Sequence, residues 1–278
     1  MISSPYEPPR RWRWLPSADW LRSLRRWVWR SCLRWLDRLG GLRTLGGIAR
    51  AMAAAALAAA ILGGGWELLT WPDVAALARQ RPRTTAFIEH YRDGGWFGQP
   101  RPVEWRWVPY AQISPNLKRA VICGEDMGFY SHHGFERSEM RIALADAWAG
   151  KKLPRGASTI TQQLAKNLWL SPSHNPLRKL KEAALTRELE RRLDKRRILE
   201  IYLNVIELGP GIYGAEAASR HYFGKSAGGL SEREAAQLAA ALPNPTDWHP
   251  GAASRWYHRY TQIILRRMSQ AGWLRSLI

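Results

Sequence analysis

Three clusters of residues in this chain have the types and spacing to do chemistry. The first is Glu125-Asp126-Met127-Gly128-Phe129-Tyr130-Ser131-His132-His133-Gly134, two adjacent acids followed by an aromatic ring, paired imidazoles and a glycine. A glutamate among apolar neighbours has a raised pKa and can act as a general base or acid. A solvated helix end capped by His132 accounts for the same residues without chemistry. The second cluster runs Gly156-Ala157-Ser158-Thr159-Ile160-Thr161-Gln162-Gln163-Leu164-Ala165-Lys166-Asn167. On a helix, Thr159, Gln163 and Lys166 share one face near a positive N-terminus, which suits a phosphate or a sugar. A polar surface stripe is the plainer reading. The third is Arg178-Lys179-Leu180-Lys181-Glu182, with one carboxylate three and four residues from two cations. Surface ion pairs explain that spacing blandly; a cationic clamp on a leaving pyrophosphate explains it functionally.

Taken in order, these strings resemble a known family. The pattern E-D-x-x-F-x-x-H-x-G falls on Glu125, Asp126, Phe129, His132 and Gly134, and G-[GA]-S-T-[IL]-[ST]-Q-Q-x-x-K-N on Gly156 through Asn167. R-K-x-x-E falls on Arg178, Lys179 and Glu182, and R-I-L-x-x-Y-L-N on Arg197 to Asn204. A fifth block covers Gly214-Ala-Glu-Ala-Ala and Tyr222-Phe-Gly-Lys. Each motif alone is weak, but five in register resemble the family 51 peptidoglycan glycosyltransferases over about residues 111 to 275. The segments GPGIYGAEAA and LPNPTDWHP look most like the monofunctional biosynthetic branch.

The resemblance implies a mainly α, lysozyme-like glycosyltransferase domain behind one N-terminal transmembrane helix. It implies that Glu125 is a general base for the acceptor sugar hydroxyl and Glu182 a second essential carboxylate that holds Arg178 and Lys179 against pyrophosphate. Ser158, Thr159, Gln163, Lys166 and Asn167 would line the donor side, and Asp126, Phe129 and His132 would shape the site rather than react. The partners implied are lipid II, the nascent glycan strand, the membrane and other cell-wall synthesis proteins, with no nucleic acid. No cofactor is required by the resemblance; a divalent cation, Mg or Mn, is left open, and no metal ligand is assigned.

The elements that must carry these residues are legible from charge and periodicity. The chain has 278 residues and a formal net charge of +19, which calls for an anionic partner such as nucleic acid, anionic lipid or a phosphorylated substrate. Eleven arginines, three acids and six tryptophans fall within the first fifty residues, and sixteen uncharged residues follow, Ala51 to Trp66. Arginine before an apolar run and Trp66 and Trp71 after it read as a single span with the N-terminus inside the cytoplasmic (inner) membrane and the catalytic bulk periplasmic or extracellular. A buried alanine-rich core helix is the alternative. Cys32 and Cys123 would lie on opposite sides of the membrane, so no intrachain disulfide is expected.

Four regions are therefore expected: a basic, Trp-rich tail over 1–44, the span over 45–71, a proline-rich connector over 72–110, and the catalytic domain over 111–278. Trp20, Leu21, Leu24, Trp27 and Val28 recur at helical spacing in the tail. Asp93-Gly94-Gly95 suggests a hairpin in the connector. In the domain, helices are expected from Pro115 toward Glu125, Thr159 to Leu168 with Ser158 as N-cap, Leu177 to Leu193, Asp194 to Asn204 and Ala215 to Phe223. Two more are expected, one opened by a Ser231/Glu234 capping box and one over Arg255 to Ala271.

Rival readings have specific requirements. A lytic enzyme would use a glutamate on a similar fold but has no need of a cationic clamp. A bifunctional penicillin-binding protein would need more chain after Glu182 and a K-T-G triad, which is absent. A membrane-tethered nucleic-acid binder would use the Arg/Trp tail alone, and a non-catalytic scaffold would keep the motifs without turnover.

Overall fold

The computed structural model describes residues 26–31, 45–95, 98–136, 158–170 and 176–278. The tail positions Trp20, Leu21 and Leu24, Cys32, and the start of the second motif at Gly156-Ala157 lie outside these residues. The chain divides into two compact units, Met1–Trp71 and Pro72–Ile278.

In the first unit, residues 26–31 are helical and Trp27, Val28 and Trp29 are exposed. Helix α1 spans Leu45–Leu69, longer than the sixteen-residue uncharged run alone. Its segment Gly47–Glu67 has a mean hydropathy of 1.6 and no burial against protein, and is long and apolar enough to cross a membrane.

The second unit begins at Pro72, so the segment expected to be a connector is part of the folded body. Val74, Leu77, Val108 and Tyr110 join its hydrophobic core. Asp93-Gly94-Gly95 is not a hairpin. It ends helix α2, Ala86–Arg92, whose last turn is closed by the Gly94 amide on Tyr91 O at 3.0 Å and the Gly95 amide on His90 O at 2.8 Å. Both glycines have positive φ, as helix stops commonly require.

Two helix groups build the core. Helix α3, Pro115–Glu125, starts where Ser114 accepts the Asn116 amide and Pro115 takes the first position. It packs on α8, Glu232–Ala241, and α9, Arg255–Gln270. The alanines of α8 are wholly buried, and their small side chains let α3 approach closely. Helix α4, Ile160–Trp169, packs on α5, Pro176–Arg192, and α6, Lys195–Val205. Its N-cap is Thr159, not Ser158. Gln162 stands three residues after Thr159 and returns its side chain to the Thr159 amide, completing a capping box that Ser158 cannot form.

A small sheet not expected from the sequence joins β1, Glu104–Trp105, to a hairpin of β2, Glu207–Gly209, and β3, Ile212–Tyr213. The order is β1-β3-β2, with β1 parallel and β2 antiparallel to β3. Gly214, at φ +82°, turns the chain from β3 into α7, Ala215–Phe223, where a Cβ would stand 2.5 Å from Asn204 O. Buried Asn204 ties this region to the segment before α3, donating to Val108 O at 2.9 Å and accepting the Val108 amide at 2.8 Å.

Candidate active site

Glu125 is the last residue of α3 and reaches the wall of a cleft of about 1070 Å³. Gly124, Ser158, Gln163 and Lys166 line the cleft with it, as do Asn244, Trp248, Trp256, Arg259 and Tyr260. The side-chain amide of Gln163 donates to Glu125 Oε2 at 2.7 Å. Its orientation is set from behind by the buried Tyr202 hydroxyl, which donates to Gln163 Oε1 at 2.8 Å. The Glu125 carboxyl is held above the ordinary glutamate range, chiefly because burial penalises its charge; Asp126 adds to the shift, while Gln163 and Lys166 oppose it.

Asp126 is buried and turned away from the cleft. It accepts from His132 Nε2 at 2.9 Å and from the Ile160 amide at 3.0 Å, pinning the first turn of α4 to the end of α3. The Gly134 amide donates to His132 Nδ1 at 3.0 Å, which leaves Nε2 to carry the proton toward Asp126. Gly134 O in turn accepts from the Thr159 hydroxyl at 2.7 Å. Gly134 has φ +84°, and a Cβ there would lie 2.8 Å from Thr186 Cγ2 of α5, so the position has room only for glycine. Phe129 is fully buried beneath this loop, edge-on to Tyr130 and His132.

The site residues read from sequence thus separate into groups. Glu125, Ser158, Gln163 and Lys166 line the cleft. Asp126, Phe129, His132, Thr159 and Asn167 are buried behind them, and Asn167 donates to Gln163 O at 2.8 Å. Thr159, expected beside Gln163 and Lys166 on a helix face, stands outside the helix because it is the cap. Glu182 is buried on α5, bonded to Lys179 Nζ and to Arg178 Nη1 at 3.4 Å. Lys166 lies in the field of both carboxylates. Burial lowers its pKa most, Glu182 and Glu125 oppose that effect, and Arg178 and Lys179 add to it. Among the described residues, Arg178 Nε is buried without a hydrogen-bond partner.

Residues 94–269 match the sequence pattern of the family described as Transglycosylase. The chain belongs to that family. It is 50% identical over 167 residues to a biosynthetic peptidoglycan transglycosylase of Nitrosospira multiformis, covering 60% of this chain and 73% of the relative. A protein of the same description from Thiobacillus denitrificans is 44% identical over 227 residues, 79% of this chain and 94% of the relative. One from Laribacter hongkongensis is 45% identical over 191 residues, covering 68% and 83%. The mainly α domain of this transglycosylase is accordingly lysozyme-like.

Sequence reasoning missed the residues that the LPNPTDWHP segment and α9 contribute to the transglycosylase cleft. LPNPTDWHP was visible as a motif and α9 as an amphipathic helix, but neither shows which side chains meet Glu125 across the fold. Tyr202 stands within the R-I-L-x-x-Y-L-N motif, which assigns it no role. Its signal is geometric, a buried hydroxyl behind the glutamine that faces the glutamate.

Proposed function

We propose that this transglycosylase polymerises lipid II into linear peptidoglycan strands with inversion, releasing undecaprenyl pyrophosphate. The observation that carries the reading is that Lys166 lines the cleft with Glu125 and lies in the field of both that carboxylate and Glu182, which holds two more cations. A general base and a pyrophosphate-binding group so placed serve the two ends of one displacement.

Glu125 takes the proton from the 4-hydroxyl of the acceptor GlcNAc as that oxygen attacks C1 of the donor MurNAc. The C1–O bond to the lipid pyrophosphate breaks as the new bond forms on the opposite face, which converts the α linkage to β. A raised carboxyl pKa brings the base closer to neutral pH, where proton acceptance is most effective. Lys166, Arg178 and Lys179 meet the charge that develops on the leaving oxygens. Glu182 keeps Arg178 and Lys179 oriented. Among the described residues no three His, Cys, Asp or Glu side chains gather as a metal site.

Helix α1 supports a single-pass anchor that keeps the cleft beside lipid-linked substrate, with the N-terminus inside and the catalytic unit outside the cytoplasmic membrane. The direct test incubates the detergent-purified full chain with labelled lipid II and, separately, with finished glycan. Polymer from lipid II, lost in Glu125→Gln, is expected. Degradation of the finished glycan without polymer would replace this reading with a lytic one.

A further inference from the structure

Glu125 leaves the C-terminal end of a helix, where a carboxylate is poorly placed. The last carbonyls of an α-helix lack intrahelical partners, and together they act as about half a negative charge. In α3 the Asp126 amide closes on Ile122 O at 2.9 Å. The next two carbonyls are taken by side chains of α9. Arg267 Nη1 donates to Cys123 O at 2.9 Å, and the Tyr260 hydroxyl donates to Gly124 O at 2.8 Å. The link is reciprocated, since Arg119 of α3 donates to Met268 O at 2.7 Å. Gly124 admits this approach; a Cβ there would stand 3.3 Å from Ile264 Cδ1.

We infer that Tyr260 and Arg267 are positioning residues for the base, fixing the last turn of α3 from which Glu125 enters the cleft and offsetting the negative end of that helix. The inference rests on the reading of Glu125 as the base. Other groups set the background around Glu125. Asp126 is the residue after it, Gln163 and Lys166 come from α4, and Tyr202 from α6. Arg259 of α9 shares the cleft, and Glu182, Arg178 and Lys179 act through Lys166. Of these, Asp126 is negative and cannot offset the helix end, and Gln163 and Lys166 act on the carboxylate rather than on the helix carbonyls. The backbone carbonyls beside the base are covered from α9. Tyr260 is half-buried and its hydroxyl is raised by burial and by the charge of Glu125, which places the two groups within electrostatic reach. Arg267 is exposed apart from its tip, so water and salt screen its share.

The experiment is the pH dependence of lipid II polymerisation by the full chain in detergent, for wild type, Tyr260→Phe, Arg267→Gln, Arg267→Lys and Arg266→Ala, an exposed neighbour on the same helix. Tyr260→Phe keeps the ring beside Trp248 and removes only the hydroxyl. With the carbonyl bared, ionised Glu125 is disfavoured, and the acid limb of the profile should move up by about half a pH unit. The plateau rate should fall several-fold while KM for lipid II holds. Arg267→Gln should shift the limb the same way, less far, with the difference vanishing at high salt; Arg267→Lys should restore part of it, and Arg266→Ala should do nothing. An acid limb for Tyr260→Phe that coincides with wild type, or a rate reduced equally at every pH, overturns the inference. If Tyr260→Phe does not fold, an unshifted Arg267→Gln does the same. Polymerisation surviving Glu125→Gln would instead remove the base reading, so the two failures are told apart.

Discussion

At the scale of single residues, Glu125 has a raised pKa because its surroundings favour the neutral form, and that has consequences of opposite sign for stability and activity. A carboxyl whose folded pKa lies above its unfolded value contributes stability below the unfolded pKa, and that contribution is lost as pH rises through the folded one. At neutral pH the ionised Glu125 is therefore a stability cost that Glu125→Gln removes, while Gln163 still finds an acceptor oxygen. The variant should lose polymerisation by at least ~10²-fold, the scale of a lost general base, and melt at or above the wild-type temperature at neutral pH. That margin should disappear once the pH falls below the ordinary glutamate range. A variant that is both inactive and clearly less stable at neutral pH would mean that Glu125 is structural. The clamp residues make a separate prediction. A charge-assisted contact is worth about 1.5–3 kcal/mol, so Lys166→Ala or Arg178→Ala should lower polymerisation at least tenfold. Arg191→Ala removes only an exposed pair with Glu188 at 3.5 Å and should change little. Equal rates for clamp variants and control would detach the cations from the leaving group.

Elements, rather than side chains, decide how much of this was legible in the sequence. Capping chemistry is local, so Pro115 and the Ser231/Glu234 box marked the starts of α3 and α8, whereas Asp194, expected as the first residue of α6, is its cap. The same logic misplaced α4 by one residue, because Ser158 and Thr159 are both good caps and only the later partner Gln162 separates them. Asp93-Gly94-Gly95 has the composition of a hairpin turn and of a helix stop, and the helical segment before it decides between the two. The brace from α9 was invisible for a different reason. Tyr260 and Gly124 are 136 residues apart and Arg267 and Cys123 144 apart, and no periodicity encodes such pairings. Asn204 shows the same limit within a recognised motif, since its type was conspicuous and its partners were not. Its side chain donates to Val108 O and Glu200 O and accepts the Val108 amide, holding the segment before α3 against α6. Asn204→Ala strands buried backbone groups and should destabilise the fold by about 3 kcal/mol, read by chemical denaturation of the purified chain. A loss well below 1 kcal/mol would show that water replaces the side chain and that the staple is dispensable.

At the scale of the whole molecule, charge and hydropathy divide the labour between the two units. Helix α1 carries Gly63, Gly64 and Gly65 with open space around each, and three such residues disfavour a helix in water by about 1 kcal/mol apiece. In hydrocarbon no water competes for the backbone, every amide must bond within the helix, and the same glycines are tolerated. The 21-residue segment Gly47–Glu67 is about 31 Å long at helical rise, close to the thickness of a bilayer core. The flanks predict its orientation. Ten arginines precede it and Arg50 stands in its first turn, whereas the nearest cations downstream are Arg79, Arg81 and Arg83. Cationic flanks are retained in the cytoplasm, so a reporter fused after Ile278 should be active only if it works outside it. The downstream arginines make the test sharper. Neutralising Arg34, Arg38, Arg43 and Arg50 removes the cations closest to the N-terminal end of α1, and a measurable fraction of chains should then invert and expose the reporter to the cytoplasm. A fusion of the unaltered chain that is active only in the cytoplasm would overturn the orientation, and with it the access of the cleft to a substrate held in the outer leaflet.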